Sequence, residues 1–159
     1  MDVVLREALP DESPALLRLM HAAFDEYSGV LDPPSAAHTE TLDSVNRRLS
    51  RGGAVVALWN DEPVGFAFYE PQGTHLYFSR LSVLPAFRSR GIGRALIECV
   101  ESRARETGFA GVRLGVRAQL PQMQATYERL GYQVTKYMTH EGYEKPTYMF
   151  MEKAVAATS

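Results

Sequence analysis

The sequence predicts an α/β (α+β) domain built on a mixed, mostly antiparallel sheet of about seven strands with helices on both faces, in the order β-α-α-β-β-β-α-β-α-β-β. Three observations carry this. Two apolar runs, residues 54–59 and 64–69, are separated only by Asn60-Asp61-Glu62-Pro63, a hairpin signal that demands antiparallel pairing. Residues 75–116 read strand, helix, strand, a unit that closes through a parallel, right-handed crossover. Apolar residues recur at helical spacing in segments too long for strands, and each such stripe needs a sheet face to cover it.

Taken in order, residues 3–8 form a short strand candidate. Asp11-Glu12-Ser13-Pro14 then marks a helix start, because Asp11 or Ser13 can cap it and proline suits a first turn whose N–H is orphaned anyway. Leu16, Leu19, Met20, Ala23 and Phe24 share one helical face, and the helix ends before Gly29. Gly29, Pro33 and Pro34 make residues 28–38 an irregular connection, followed by a second helix over 39–50. After the hairpin, Gly73 introduces a third strand at 75–83 that stops before Pro85. Leu96, Ile97, Cys99, Val100 and Ala104 then set the buried face of a helix over 93–107, with Arg94, Glu98, Glu101, Arg103 and Arg105 opposite and Gly108 as terminator. A strand at 112–116, a short helix at 121–130 closed by Gly131, and strands at 132–138 and 147–152 complete the order. Residues 1–153 read as one domain, and the small, polar residues 154–159 as a tail that frays.

A chain of 159 residues with 45% hydrophobic and 23% charged content supports one core, whereas two domains would each be marginal. The net charge of -2 gives no electrostatic footprint for nucleic acid or an anionic membrane. The first residues lack a basic stretch followed by an apolar run, and no run is long enough to span a bilayer, so the reading is a cytoplasmic protein with neither partner. Cys99 is the only cysteine, which excludes an intrachain disulfide and a thiolate metal cage; its place on an apolar stripe reads as core packing. His21, His38, His75 and His140 are scattered without an i, i+4 pair, so no metal is expected.

The chemistry concentrates in Arg88-Ser89-Arg90-Gly91-Ile92-Gly93, where a strand runs into a glycine-rich turn and then a helix. Such a turn presents unpaired N–H groups at the positive end of the helix dipole, which suits phosphate. Gly91 and Gly93 permit close backbone approach, and Arg88, Arg90 and Arg94 add charge-assisted donors. A P-loop needs lysine and then Ser or Thr after its second glycine, where Arg94-Ala95 stands instead. A dinucleotide fingerprint needs a small residue where Leu96 stands. A pyrophosphate of another class remains.

The stretch Leu81-Ser82-Val83-Leu84-Pro85-Ala86-Phe87-Arg88-Ser89-Arg90-Gly91-Ile92-Gly93-Arg94-Ala95-Leu96 resembles the acetyl-CoA signature of the GNAT N-acetyltransferases, and its turn matches Arg/Gln-x-x-Gly-x-Gly/Ala without departure. Tyr127-Glu128-Arg129-Leu130-Gly131-Tyr132 is similar to a second feature of that family, and the GNAT-like element order extends over nearly the whole chain. The resemblance implies an acyl-CoA N-acyltransferase that needs no metal. It moves acetyl from acetyl-CoA directly to a primary amine of a small molecule or peptide in a ternary complex, with CoA as product. It further implies that backbone groups of Leu81-Ser82-Val83 pair with the pantetheine arm between splayed parallel strands. Arg88, Ser89, Arg90, Gly91, Ile92, Gly93 and Arg94 then hold the pyrophosphate. Tyr127, the implied catalytic residue, meets the sulfur and protonates the leaving thiolate.

Two departures bear on mechanism. Many members carry a glutamate base in the strand before the turn, whereas His75-Leu76-Tyr77-Phe78-Ser79-Arg80-Leu81 has no carboxylate; the base stays open among His75, Tyr77, His140 and water. The asparagine common after the next strand is replaced by Arg117-Ala118-Gln119-Leu120, where Gln119 substitutes in part as a cofactor ligand. The acceptor is expected between the loops at 28–38 and 139–146. Asp25, Glu26, Asp32, Glu40, Asp43, Glu141 and Glu144 near them favour a cationic amine, with Tyr27, Tyr143 and Tyr148 as an aromatic wall. The missing glutamate and asparagine keep open a catalytically weak or inactive acyl-CoA-binding sensor or partner domain, against which Tyr127 argues. The assembly is open, a homodimer included.

Overall fold

In the computed structural model, which describes residues 3–155, the expected hairpin turns on Asn60 and Asp61, both in the left-handed region at φ 49° and 66°. That pair of conformations matches the right-handed twist of flanking strands. It joins β2 (Gly53–Trp59) to β3 (Glu62–Gln72), and Gly73 at φ 61° turns the chain into β4 (His75–Val83). The remaining strands are β1 (Val3–Glu7), β5 (Gly111–Arg117), β6 (Gln133–Met138) and β7 (Tyr148–Ala154). Together they form one seven-stranded sheet in the order β1-β2-β3-β4-β5-β7-β6. The β4–β5 pair is parallel, joined across the sheet by α3 (Ile92–Glu106), and the other pairs are antiparallel.

The unbroken apolar run in β2 follows from cover on both faces. Ala54 and Val56 of β2, with Phe66 and Phe68 of β3, pack under Leu16, Leu19 and Met20 of α1 (Ser13–Phe24) and Val45 of α2 (Leu42–Arg51). Val55, Ala57, Val64 and Ala67 face the other way, against Ile92, Leu96, Ile97, Val100 and Ala104 of α3. Gly65 sets how closely α3 approaches, since a Cβ there would lie 3.0 Å from the Ser82 carbonyl oxygen and 3.3 Å from Ile92 Cγ2. Leu16 is fully buried; its truncation to alanine costs about 2–5 kcal/mol on the usual cavity scale.

Two irregularities open the sheet. Phe66 pairs with Ser82 but Phe68 with Ser79, so β4 carries one extra residue opposite β3, and Arg80 takes φ 55° within it. Such a bulge bends the strand. Pairing of β4 with β5 ends at Phe78 and Leu114, while β5 stays paired with β7 as far as Arg117 and Tyr148. Beyond Phe78 the two parallel strands therefore splay, beside α4 (Pro121–Arg129).

The predicted element order is the observed one, but several boundaries differ. Neither Asp11 nor Ser13 caps α1: residues Pro10–Glu12 form a separate 3-10 turn, and Ser13 Oγ donates to the Pro10 carbonyl at 3.0 Å. The Glu12 carboxylate instead accepts from the Leu9 N–H at 2.7 Å and pairs with Arg6 at 2.7 Å. The second helix starts later than predicted, because Ala36–Thr39 is a 3-10 turn and Thr41 caps Leu42–Arg51 by accepting from the Ser44 N–H at 3.3 Å. At the other end β7 runs through Ala154, and the Val155 N–H donates to the Ala110 carbonyl at 3.0 Å. The expected tail thus begins no earlier than residue 156, and 156–159 lie outside the described residues. Among the described residues no helix is long and apolar enough to cross a membrane.

Candidate active site

The Leu84 N–H returns to the Val64 carbonyl at 2.9 Å as β4 ends, and Pro85–Phe87 makes one 3-10 turn. Ser89 at φ 63° and Gly91 at φ 81° then aim the chain into α3, with Gly91 as its N-cap and no side chain capping it. The Ala95 N–H bonds to the Gly91 carbonyl at 3.0 Å, so the preceding N–H groups from Gly91 to Arg94 have no acceptor inside the helix. They belong to residues lining a cavity of about 380 Å³, walled by Leu81, Val83, Phe87, Arg88 and Ser89 on one side and by Glu26, Tyr27 and Met123 on the other. Four N–H groups without helix acceptors at the positive end of a helix dipole suit an anion.

The predicted arginines have different placements. Arg88 lines this cavity, donating to the carbonyls of Ala23 at 3.0 Å and Val83 at 3.3 Å and pairing with Glu26. Arg94 lines it too and bonds Glu98 at 2.8 Å on the exposed face of α3. Arg90 does not line it; its guanidinium stacks 5.2 Å from the Trp59 ring and 5.6 Å from that of Phe87, bracing the turn from behind. Ser82 is fully buried, its hydroxyl donating to the Arg80 carbonyl at 2.9 Å inside the bulge.

A second cavity of about 360 Å³ fills the splay between β4 and β5 and shares Phe24, Tyr27, Leu81 and Met123 with the first. Tyr127 reaches it from α4, 4% exposed, and its hydroxyl has no hydrogen-bond partner among the described residues. Burial above all, and then Tyr27, push its pKa well above the ordinary phenol range, so it holds its proton at neutral pH. The neighbouring Tyr132 is different: its hydroxyl donates to Glu101 at 2.8 Å, and Glu101 in turn accepts from Lys153 at 3.2 Å.

Of the base candidates, Tyr77 and His140 line the second cavity and His75 does not. His75 lies where β4 begins, 3.3 Å from Glu152 and 3.0 Å from the Thr74 hydroxyl. Burial raises the pKa of Tyr77. His140 is fixed by Thr147, whose Oγ1 lies 2.5 Å from Nδ1 and accepts the His140 backbone N–H at 2.8 Å. Burial, then Arg117, lower its pKa, so the ring is neutral at pH 7. Gln119 is drawn elsewhere: its Oε1 accepts from the Asp32 N–H at 3.0 Å and ties the 28–38 loop to the end of β5.

The expected aromatic wall includes Tyr27 and Tyr148, while Tyr143 is exposed and donates to Asp32. Among the described residues no carboxylate lines the second cavity. Glu26 is engaged with Arg88, Asp25, Asp43, Glu141 and Glu144 are exposed, and Glu40 is buried in a cluster. Glu40 accepts from Arg80 at 2.7 Å, Arg48 at 3.0 Å and Ser44 at 2.9 Å. Burial opposes its charge, but those guanidiniums prevail and hold the carboxyl below the usual range. Sequence reasoning missed the cavity's own cations, Arg80 and Arg117. A left-handed arginine carries no signature, and Arg117 is defined by a loop more than 80 residues away, donating to the carbonyls of Pro33 at 2.6 Å and Pro34 at 3.1 Å. Cys99 is half-buried, and burial, then Glu106, raise its pKa. Among the described residues no three His, Cys, Asp or Glu side chains group to hold a metal.

The family model described as "Acetyltransferase (GNAT) family" matches residues 16–132. The uncharacterized N-acetyltransferase YjgM of Escherichia coli (strain K12) is 26% identical over 140 residues, covering 84% of each protein. Among solved structures, PaiA N-acetyltransferase from Thermoplasma acidophilum, in complex with coenzyme A, is similar with a TM-score of 0.81 at 17% identity, over 97% of this chain and 99% of its own. The ribosomal-protein-S18-alanine N-acetyltransferase from Escherichia coli gives 0.75 at 18% identity, over 99% and 96%. At these identities the structural likeness is one of fold.

Proposed function

The chain belongs to the GNAT acetyltransferase family and is an acyl-CoA N-acyltransferase, and from that premise we propose that it binds acetyl-CoA along the β4–β5 splay and passes the acetyl group directly to a primary amine. The observation that carries this is the joining of two cavities through Phe24, Tyr27, Leu81 and Met123, with free helix N–H groups in one and, in the other, a protonated tyrosine without a hydrogen-bond partner among the described residues. The residues fit the cosubstrate: free helix N–H groups and Arg88 suit a pyrophosphate, and the strand edge beyond Phe78 offers unpaired backbone to an amide-bearing arm.

Acetyl-CoA, when bound, supplies a thioester carbonyl open to attack. Arg88 and the N–H groups of Gly91 to Arg94 anchor its phosphates, so that orientation is paid before chemistry begins. His140, neutral at pH 7 and facing the cavity, takes the proton an alkyl ammonium must lose before attacking. Tyr127 donates its hydroxyl proton to the sulfur as charge develops there. Its raised pKa does not forbid this, since the same dry surroundings raise the affinity of a departing thiolate for a proton.

The test is incubation with acetyl-CoA and a panel of peptides, polyamines and amino acids, following thiol release and acceptor mass. One acceptor gaining acetyl with equimolar thiol is expected. Tight CoA binding with no transfer to any amine would instead favour a sensor or partner domain.

A further inference from the structure

The charged side chains lining the splayed cavity are Arg80 and Arg117, beside the neutral ring of His140, and among the described residues no aspartate or glutamate joins them. That is the reverse of a pocket for a polyamine. Arg80, set by the bulge at φ 55°, is neutralised through Nε by Glu40 at 2.7 Å, but Glu40 also answers Arg48 at 3.0 Å. Arg117 pairs with no carboxylate among the described residues. It donates to the carbonyls of Pro33 and Pro34, and nearby Asp32 is taken by Tyr143. Carbonyl contacts satisfy part of a guanidinium's donor fork without cancelling its charge. Burial, then the like charge of Arg80, act against the protonated form of Arg117 and lower its pKa. A half-buried cation in that position is relieved by an incoming anion, and the planar fork is matched by a carboxylate. Tyr77, Tyr148 and His140 line the same cavity, and its volume of about 360 Å³ suits a small molecule better than a chain.

We propose that the acceptor is a small amine bearing its own carboxylate, an amino-acid-class substrate whose carboxylate is held by Arg117, with Arg80 alongside, while its amine is presented towards Tyr127. This rests on the acetyltransferase reading of the same site.

The test compares free L-amino acids with their carboxamides and decarboxylated amines, in wild type and in Arg117→Gln and Arg117→Lys, using acetyl-CoA and thiol release. Wild type is expected to favour the free acids about 10- to 100-fold in kcat/KM, mainly through KM. R117Q reduces that preference to within about 3-fold at unchanged CoA affinity, and R117K, which keeps the charge without the fork, retains part of it. Since Arg117 also holds the Pro33–Pro34 loop, melting temperatures of the variants establish that they fold. A parallel arm measures stabilisation of the CoA-loaded protein by each acid and its amide. Amides or decarboxylated amines used as well as the acids overturn this inference and leave the transferase reading standing. Stabilisation by acids over amides with no acetyl moved to anything sustains the anion site and sinks the transferase reading. No acid preference in either arm, or one that R117Q leaves intact, also overturns it.

Discussion

Tyr127 and Tyr132 flank the turn that ends α4 with ring centroids 5.9 Å apart, yet their hydroxyls have opposite surroundings. Tyr132 is hydrogen-bonded in a cluster with Glu101 and Lys153, whereas the Tyr127 hydroxyl faces the cavity with no hydrogen-bond partner among the described residues. Removing each oxygen should therefore give complementary results. Tyr127→Phe loses no protein hydrogen bond, so its melting temperature stays near wild type while turnover falls about 100-fold, a moderate general-acid contribution. Tyr132→Phe leaves Glu101 short of a donor and costs about 1–3 kcal/mol of stability with turnover little changed. Thermal denaturation and thiol-release assays on both variants check the pair; a destabilised but fully active Tyr127→Phe contradicts the role given to that hydroxyl. Only the first of these tyrosines could be singled out from sequence, by its resemblance to a known motif, since nothing local distinguishes a hydroxyl aimed at a cavity from one aimed at a carboxylate.

Glu40 joins two elements: it precedes α2, binds Arg48 within that helix, and holds Arg80 at the bulge of β4. Breaking a buried cluster by removing one charge costs about 3 kcal/mol at neutral pH, which is expected for Glu40→Gln. The pH dependence has a definite sign. Because the folded carboxyl titrates below its ordinary value, the stabilisation is fully present above the usual carboxylate range and is lost as pH falls through the folded value. The melting-temperature gap between wild type and E40Q is thus widest near pH 7 and closes in acid, as melts followed by circular dichroism from pH 7 to 3 would show; a gap that grew in acid would reverse the assignment. Element types were legible because period and turn chemistry are local, as at Asn60-Asp61. The start of α1 was misread because the Glu12 carboxylate serves Arg6 and Leu9 ahead of the helix. The bulge was illegible because the sheet, and not residue type, puts Arg80 at positive φ.

Among the described residues, the halves β1–β4 and β5–β7–β6 meet within the sheet only along His75–Phe78 and Gly111–Leu114. A cosubstrate seated in the gap adds a tie between them. At about 100 times Kd it adds about 2.7 kcal/mol, or roughly 5–10 °C in melting temperature for a domain of this size. Arg88→Ala reduces that rise, whereas Glu26→Gln enlarges it, because a carboxylate paired with Arg88 no longer competes with phosphate. A CoA titration by thermal shift checks all three proteins, and a flat wild-type response contradicts the binding site. The same scale explains why one end of the site was readable and the other was not. The anion turn is seven consecutive residues, 88–94, whereas the acceptor pocket draws Arg80, Arg117, His140 and the Pro33–Pro34 loop together by long-range folding alone. The strand order carries a last consequence, for biosynthesis. β5 and β6 leave the ribosome before β7, yet residues 148–154 must enter between them and bond on both edges. Until then the nascent chain presents an empty slot flanked by two open strand edges, where any extended peptide of matching alternation competes with its own β7.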